Sequence, residues 1–314
     1  MPRADVPIHP NHVPRIVNTE GVDVREDVLY TDPTGEEKAG IRKRNEQQVR
    51  KLVPALQRVL QPDETVFFIT QARSPLAFLE QLTAAWWTAY HARSVVVLTN
   101  QRILFFPIKG DDTWKESVRS APWGDVVEVK PKGWIARNVT FTFRNGSQVT
   151  YTNLRRADAK KLAGIVASIQ LAGAGDQSAS QGLTQLCPDC RNVLTPGVYS
   201  CSHCGLVFKN EKSMILRSIF LPGGGYFYTG HPLVALIPAL VEGFLILELM
   251  LLVAVAANKP ELWSKVLSVF LFLAIVWVLE TAVTILHGRR YIREYIPEKR
   301  DPTRSHAVAA SAGK

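Results

Sequence analysis

The spacing of hydrophobic positions changes several times along the chain. Val49, Leu52, Val53, Leu56, Val59 and Leu60 recur at helical spacing. Pro54 inside that run is expected to kink it, and Gln61-Pro62-Asp63 to end it. Strand signals follow. Thr65–Thr70 and Ser94–Thr99 are β-branched and aromatic, and Asn100-Gln101 turns the second run into Arg102–Phe106. Trp114–Arg119 and Asp125–Lys130 read as two further strands. Asn138–Phe143 alternates cleanly, meets the hairpin signal Asn145-Gly146, and returns as Gln148–Thr152. Leu162, Ile165, Val166 and Ile169 then share one face of a helix over 157–171. The prediction is an α+β domain of seven strands and a closing helix over 42–171, with a leading helix. Residues 71–93 form a long connection between the first two strands.

The flanks differ. Residues 1–41 carry Pro2, Pro7, Pro10, Pro14 and Pro33 with scattered charge and little periodicity, which predicts a flexible tail. Residues 172–185 are small and polar and read as a linker. Two apolar runs stand near the C-terminus. Leu233–Ala257 holds only Glu242 and Glu248 as charged residues, and Leu262–His287 only Lys265 and Glu280. Each is long enough to cross a hydrocarbon layer of about 30 Å. Asn258-Lys259-Pro260-Glu261 between them predicts a tight turn, hence a transmembrane α-helical hairpin over 233–288.

Composition adds direction to that reading. The 314 residues carry a net charge of +9. Lys209, Lys212 and Arg217 precede the hairpin, and Arg289, Arg290, Arg293, Lys299 and Arg300 follow it in a basic tail over 289–314, whereas the turn holds Lys259. The positive-inside rule then places both termini in the cytoplasm and the chain in the cell membrane as a multi-pass protein. The N-terminus lacks the apolar core of a signal peptide. A basic chain suits anionic partners, and with spans present the lipid surface is the simpler one.

All four cysteines lie close together. Cys187-Pro188-Asp189-Cys190 is followed, after ten residues, by Cys201-Ser202-His203-Cys204-Gly205. Two CxxC knuckles supply four thiolates, enough to close a tetrahedron around one Zn²⁺ with no open position, which predicts a structural zinc site over 186–209. The spacing resembles short zinc ribbons. So short a segment cannot bury a core of its own, so the metal would hold it folded. Arg191 is the one cation between the knuckles, so nucleic acid is not an expected partner.

Other phrases carry a second resemblance. Val97-Leu98-Thr99-Asn100-Gln101-Arg102-Ile103-Leu104-Phe105, and later Pro122-Trp123-Gly124-Asp125-Val126, are similar to segments of bacterial pleckstrin-homology-like and GRAM-like domains. That resemblance covers residues 45–171. It implies a seven-strand barrel closed by a C-terminal helix, binding lipid head groups or peptides. The long first connection departs from the family pattern. Trp86 and Trp87 lie in it, flanked by Arg73 and Arg93; these four residues form a candidate membrane-surface contact, and a helix packed on the sheet is the alternative. Residues 210–232, with Gly223-Gly224-Gly225 and the aromatic run Tyr226-Phe227-Tyr228, resemble the opening of small bacterial two-helix membrane domains and read as an interfacial segment.

Glu242, Glu248 and Glu280 are costly in hydrocarbon. Counted from the turn, Glu242 and Glu280 fall within about 5 Å of the same depth. They suit a shared proton, a cation or an oligomer contact, or two neutral carboxyls bonded nearby. No HExxH, GxSxG or Walker pattern is present. The expected role is therefore non-enzymatic: a membrane-anchored adaptor with a protein or lipid partner. The alternative is a subunit of a small oligomeric transporter or channel using the intramembrane carboxylates, in which a homo-oligomer would line the path.

Overall fold

A computed structural model describes residues 15–74, 92–133, 137–171 and 182–298. Two compact units divide at Leu206 and Val207.

The first unit is built on an antiparallel sheet. Strands β3 (Val66–Arg73), β4 (Arg93–Thr99), β5 (Arg102–Pro107) and β6 (Val118–Pro122) form one meander. A second meander contains β7 (Val126–Lys132), β8 (Arg137–Phe143) and β9 (Gln148–Leu154). Arg73 of β3 pairs with Thr152 of β9, which joins the two and curls the sheet. The helix α3 (Arg156–Leu171) places Leu162, Ile165, Val166 and Ile169 against the inner face, among Phe68, Phe105, Phe141 and Tyr151.

The first meander is buried on both faces. Val96 and Leu98 of β4 and Ile103 and Phe105 of β5 point into the curl. Their neighbours Val95, Val97, Leu104 and Phe106 point outward, where α2 (Ala39–Val59) covers them with Leu52, Val53, Leu56 and Val59. This two-sided burial is why those strands read as unbroken apolar runs. The second meander packs α3 against one face, and β8 alternates the apolar Val139, Phe141 and Phe143 on that face with Thr140, buried at 8% exposure and bonded to Thr150, and half-buried Thr142.

Three strands lie outside the region expected to hold the sheet. β1 (Ile16–Thr19) and β2 (Val22–Arg25) form a hairpin, and Val24 of β2 pairs in parallel with Val66. The short helix α1 (Glu26–Leu29) follows, burying Val28 and Leu29. Residues 15–41 are thus part of the folded unit, which corrects the tail expected over 1–41; its remainder lies outside the described residues. β10 (Thr184–Leu186) pairs with β6 through Thr184↔Ser120 and Leu186↔Val118. The end of the expected linker is therefore a strand. Trp114 is not in a strand run: it makes an isolated bridge with Ile108, and β6 starts at Val118.

The phrase that carries the pleckstrin-homology resemblance has a structural job. Thr99 Oγ1 accepts from the Arg102 backbone N–H at 3.1 Å and donates to Glu64 Oε1 at 2.7 Å. Arg102 reaches both oxygens of Glu64, at 3.0 and 2.8 Å, in a pair buried from solvent. Asn100 Oδ1 accepts from the Thr65 N–H at 2.8 Å, and Trp123 Nε1 donates to the Thr99 carbonyl at 2.9 Å. The turn pins the end of α2, the start of β3 and the β5–β6 side of the sheet to one point.

The second unit is helical. α4 (Glu211–Phe220) is capped by Asn210, whose side chain accepts from the Ser213 N–H. α5 (Gly224–Thr229), α6 (Pro232–Ala256) and α7 (Trp263–Arg293) follow. α6 and α7 are long and apolar enough to cross a membrane, with mean hydropathies of 2.4 and 2.5 in their most apolar stretches. Only 11% of those stretches is buried within the chain, unlike the core helices of a soluble protein. The segments before and after the hairpin are clasped by the bridge Phe208↔Pro297 and by Lys209 N–H to the Ile296 carbonyl at 3.1 Å.

Gly223-Gly224-Gly225 is the packing point of this unit. A Cβ on Gly223 would stand 2.3 Å from the Ala235 carbonyl oxygen, and one on Gly224 2.2 Å from that of Arg217. On Gly225 it would meet Ser218 Oγ at 2.1 Å. The aromatic run beside it, expected to suit a membrane interface, turns two of its three rings into the chain. Tyr226 and Tyr228 are buried, and Phe227 alone is exposed. The reason is the glycines, which let α5 sink between its neighbours.

Candidate metal centre

The four cysteines converge. β10 leads into the first knuckle, and Leu186, Cys187, Leu194 and Cys201 are buried beside it. Two short returns fix the arrangement, Leu186↔Val193 and Leu194 N–H to the Gln185 carbonyl at 2.8 Å. The ribbon therefore grows out of the sheet edge.

The knuckles repeat each other bond for bond. In the first, the Arg191 N–H donates to the Cys187 carbonyl at 2.9 Å and the Cys187 N–H to the Asn192 carbonyl at 2.8 Å. In the second, Gly205 N–H donates to Cys201 at 2.9 Å and Cys201 N–H to Leu206 at 2.8 Å. The residue after each pair takes a left-handed conformation, with φ +64° at Arg191 and +73° at Gly205. Glycine adopts this without strain; arginine does not. Arg191 Nη1 instead donates to the Leu60 carbonyl at the end of α2, at 2.9 Å. This tether is invisible in a linear reading, because Leu60 is remote along the chain.

The sulfur geometry fits a tetrahedral ion. Cys187 and Cys204 Sγ are 3.5 Å apart, as are Cys190 and Cys201 Sγ, and all four lie within 4.8 Å of one another. A metal–thiolate bond of about 2.3 Å requires tetrahedral sulfurs about 3.8 Å apart. The cysteines are free. Backbone donors face the sulfurs. The N–H groups of Asp189 and Cys190 point at Cys187, and those of His203 and Cys204 at Cys201.

Without a metal, burial pushes the Cys187 thiol well above its usual range and raises Cys190 to about 11. At Cys201 burial also raises, but the facing N–H groups and the neighbouring thiols outweigh it, and the thiol is lowered. Buried sulfurs ringed by donors favour thiolates neutralised by a cation. Four such ligands could hold a metal ion and would leave it no open position. His203 is a neighbour of the cluster in sequence, and the four sulfurs complete the set without it.

The other candidate residues separate. Glu242 is 1% exposed, and its carboxylate oxygens have no hydrogen-bond partner among the described residues. Glu280 lies on the inward stripe of α7 and accepts from Thr284 Oγ1 at 2.8 Å. Glu248 is exposed on α6 and does not join them. Trp86 and Trp87 lie outside the described residues. Arg73 and Arg93 sit opposite each other across β3 and β4. Arg93 is engaged by the chain itself: it donates to the Gly110 carbonyl at 2.8 Å and pairs with Asp112. Its half of the expected lipid contact is thus committed to holding the loop after β5.

No protein-family model, curated protein or solved structure matches this chain.

Proposed function

We propose that the chain is a non-enzymatic, membrane-anchored adaptor whose cytoplasmic sheet domain is closed by a structural zinc clip. The observation that carries the reading is β10. It joins the cysteine cluster to the edge of the sheet, so the metal would secure an edge strand rather than a detached module. An unprotected edge invites pairing with other chains, and a clipped strand removes part of it. Zinc is the preferred ion because four thiolates in a tetrahedron suit it and the role needs no redox change.

The sheet region is read as pleckstrin-homology-like. Support comes from the order of a four-strand meander, a three-strand meander and a closing helix. Its partner is a protein or lipid; with Arg93 bonded internally, an anionic head group at that corner has fewer cations available. The helices α6 and α7 supply the anchor, and the basic flanks favour both termini in the cytoplasm of the cell. The test is accessibility in intact cells. An impermeant thiol reagent is expected to label Lys259→Cys, and to leave Asp5→Cys and Ala310→Cys unlabelled until the membrane is opened. Labelling of either terminus from outside would overturn the arrangement.

A further inference from the structure

We infer that the helical unit binds a proton between Glu242 and Glu280, and that a hydrogen-bonded chain through Thr284 and Tyr226 connects this site to His287. This site lies within the α6–α7 anchor, is separate from the zinc clip and uses none of the four cysteines.

The first observation is an unmet need. Among the described residues of this unit, the buried side-chain oxygens without a partner are both oxygens of Glu242 and Oε2 of Glu280. A carboxylate stripped of water and of donors is costly inside a protein or bilayer. The two residues face the same interior. Glu242 shares the buried side of α6 with Ala235, and Glu280 continues the α7 stripe of Leu273, Thr284, His287 and Tyr291. One proton answers both deficits. Carried by Glu242, it gives that carboxyl an O–H to donate, and Glu280 Oε2 is an open acceptor.

Their surroundings assign the proton between them. Glu280 accepts from Thr284 Oγ1 and faces the Gly223 N–H, two donors that support a negative charge. Glu242 has none. Glu280 therefore holds the charge and Glu242 the proton.

The second observation is what continues from Glu280. Tyr226 hydroxyl bonds to Thr284 and lies 2.7 Å from His287 Nδ1, both buried. Each hydroxyl has one hydrogen to give. Thr284 spends its hydrogen on Glu280, so Tyr226 donates to Thr284 and His287 Nδ1–H donates to Tyr226. All three bonds then point toward Glu280. From a doubly protonated His287, Nδ1–H moves to Tyr226, the Tyr226 hydrogen to Thr284, and the Thr284 hydrogen to Glu280 Oε1. No bond other than these breaks, and one proton enters and arrives. Gly225 permits this approach, since a Cβ there would strike Thr284 Cγ2 at 2.5 Å.

Of the other ionisable groups on the packed elements, Lys212, Lys265 and Arg293 are exposed and Arg290 is half-buried. From α4, Arg217 stacks on Tyr228, and Glu211 pairs with Arg289 of α7. His231 stacks on Tyr291 and contacts Thr229, Tyr228 bonds to Glu298, and Glu248 faces outward.

The test is infrared difference spectroscopy on the full chain in lipid, between about pH 5 and pH 8, the range in which histidine titrates. The expected result is the carbonyl band of a protonated carboxylic acid at neutral pH, absent in Glu242→Gln and shifted in Glu280→Gln. In deuterium oxide the band should shift quickly in the parent chain. It should shift slower by about tenfold or more in Tyr226→Phe, which keeps the ring and loses the relay hydroxyl. Thr284→Ser retains a hydroxyl and should keep the parent rate, showing that chemistry rather than packing is read. Absence of the band, its survival in Glu242→Gln, or its loss on adding sodium or calcium ions would overturn the proposal; the last would mean that a metal cation occupies the site. Equal exchange rates in parent and Tyr226→Phe would remove the relay.

Discussion

Each unit buries a set of acids, and the chain treats the two sets differently. Around Cys187 and Cys201, backbone N–H groups of the knuckles face the sulfurs, and the four ligands close on one point. That is a site suited to negative charge, which a bound cation would complete. Among the described residues no donor bonds to Glu242, and Glu280 has two. That is a site prepared for one charge and one neutral acid. The contrast shows that the donors around a buried acid, more than its burial, tell what it binds.

The largest effect should come from breaking the sulfur set. Cys187→Ser, or removal of metal by a chelator, withdraws a folding contribution on the order of 10 kcal/mol from the knuckles. Hydrogen exchange should rise at Cys187, Cys201 and across β10, with α6 and α7 protected as before. A smaller loss is expected on the carboxylate side. Gly225→Ala forces a Cβ onto Ser218 and Thr284. It should lower the stability of the helical unit in detergent by about 3 kcal/mol. Gly243→Ala, with nothing within 4 Å of its Cβ, should be neutral or stabilising.

A smaller loss again is expected at Glu242. Glu242→Leu removes the carboxyl that shares its proton with Glu280 and leaves Glu280 Oε2 without a partner, which should lower thermal stability by about 1–3 kcal/mol. A gain of that size would mean that no proton is shared between the two. Smallest is Arg191→Ala. It removes the tether to the Leu60 carbonyl while keeping the strained φ, and should cost no more than about 1 kcal/mol because the guanidinium is exposed. Metal stoichiometry should be unchanged.

What was legible in the sequence was what is local. The CxxC pairs carry their own geometry, the Asn145-Gly146 hairpin its turn, and the apolar runs at 233 and 262 their length. Through-space features were hidden. Val22 and Val24 look like part of a polar tail until Val24 meets Val66. The three glycines read as a bend, and only the neighbouring backbone of Arg217 and Ala235 shows that they are packing surfaces. The unbroken apolar strands β4 and β5 signalled two buried faces, but not that α2 supplies one of them. Glu242 and Glu280 were matched by counting from the turn, whereas Tyr226 and His287 are linked only through the fold.

The central claim, that four thiolates of this chain hold one zinc ion, is tested most directly by elemental analysis combined with thiol titration of the purified full chain. The predicted result is one zinc per chain, with four thiols that react only after a chelator is added. Protein free of metal, with all four thiols reacting at once, would contradict the account.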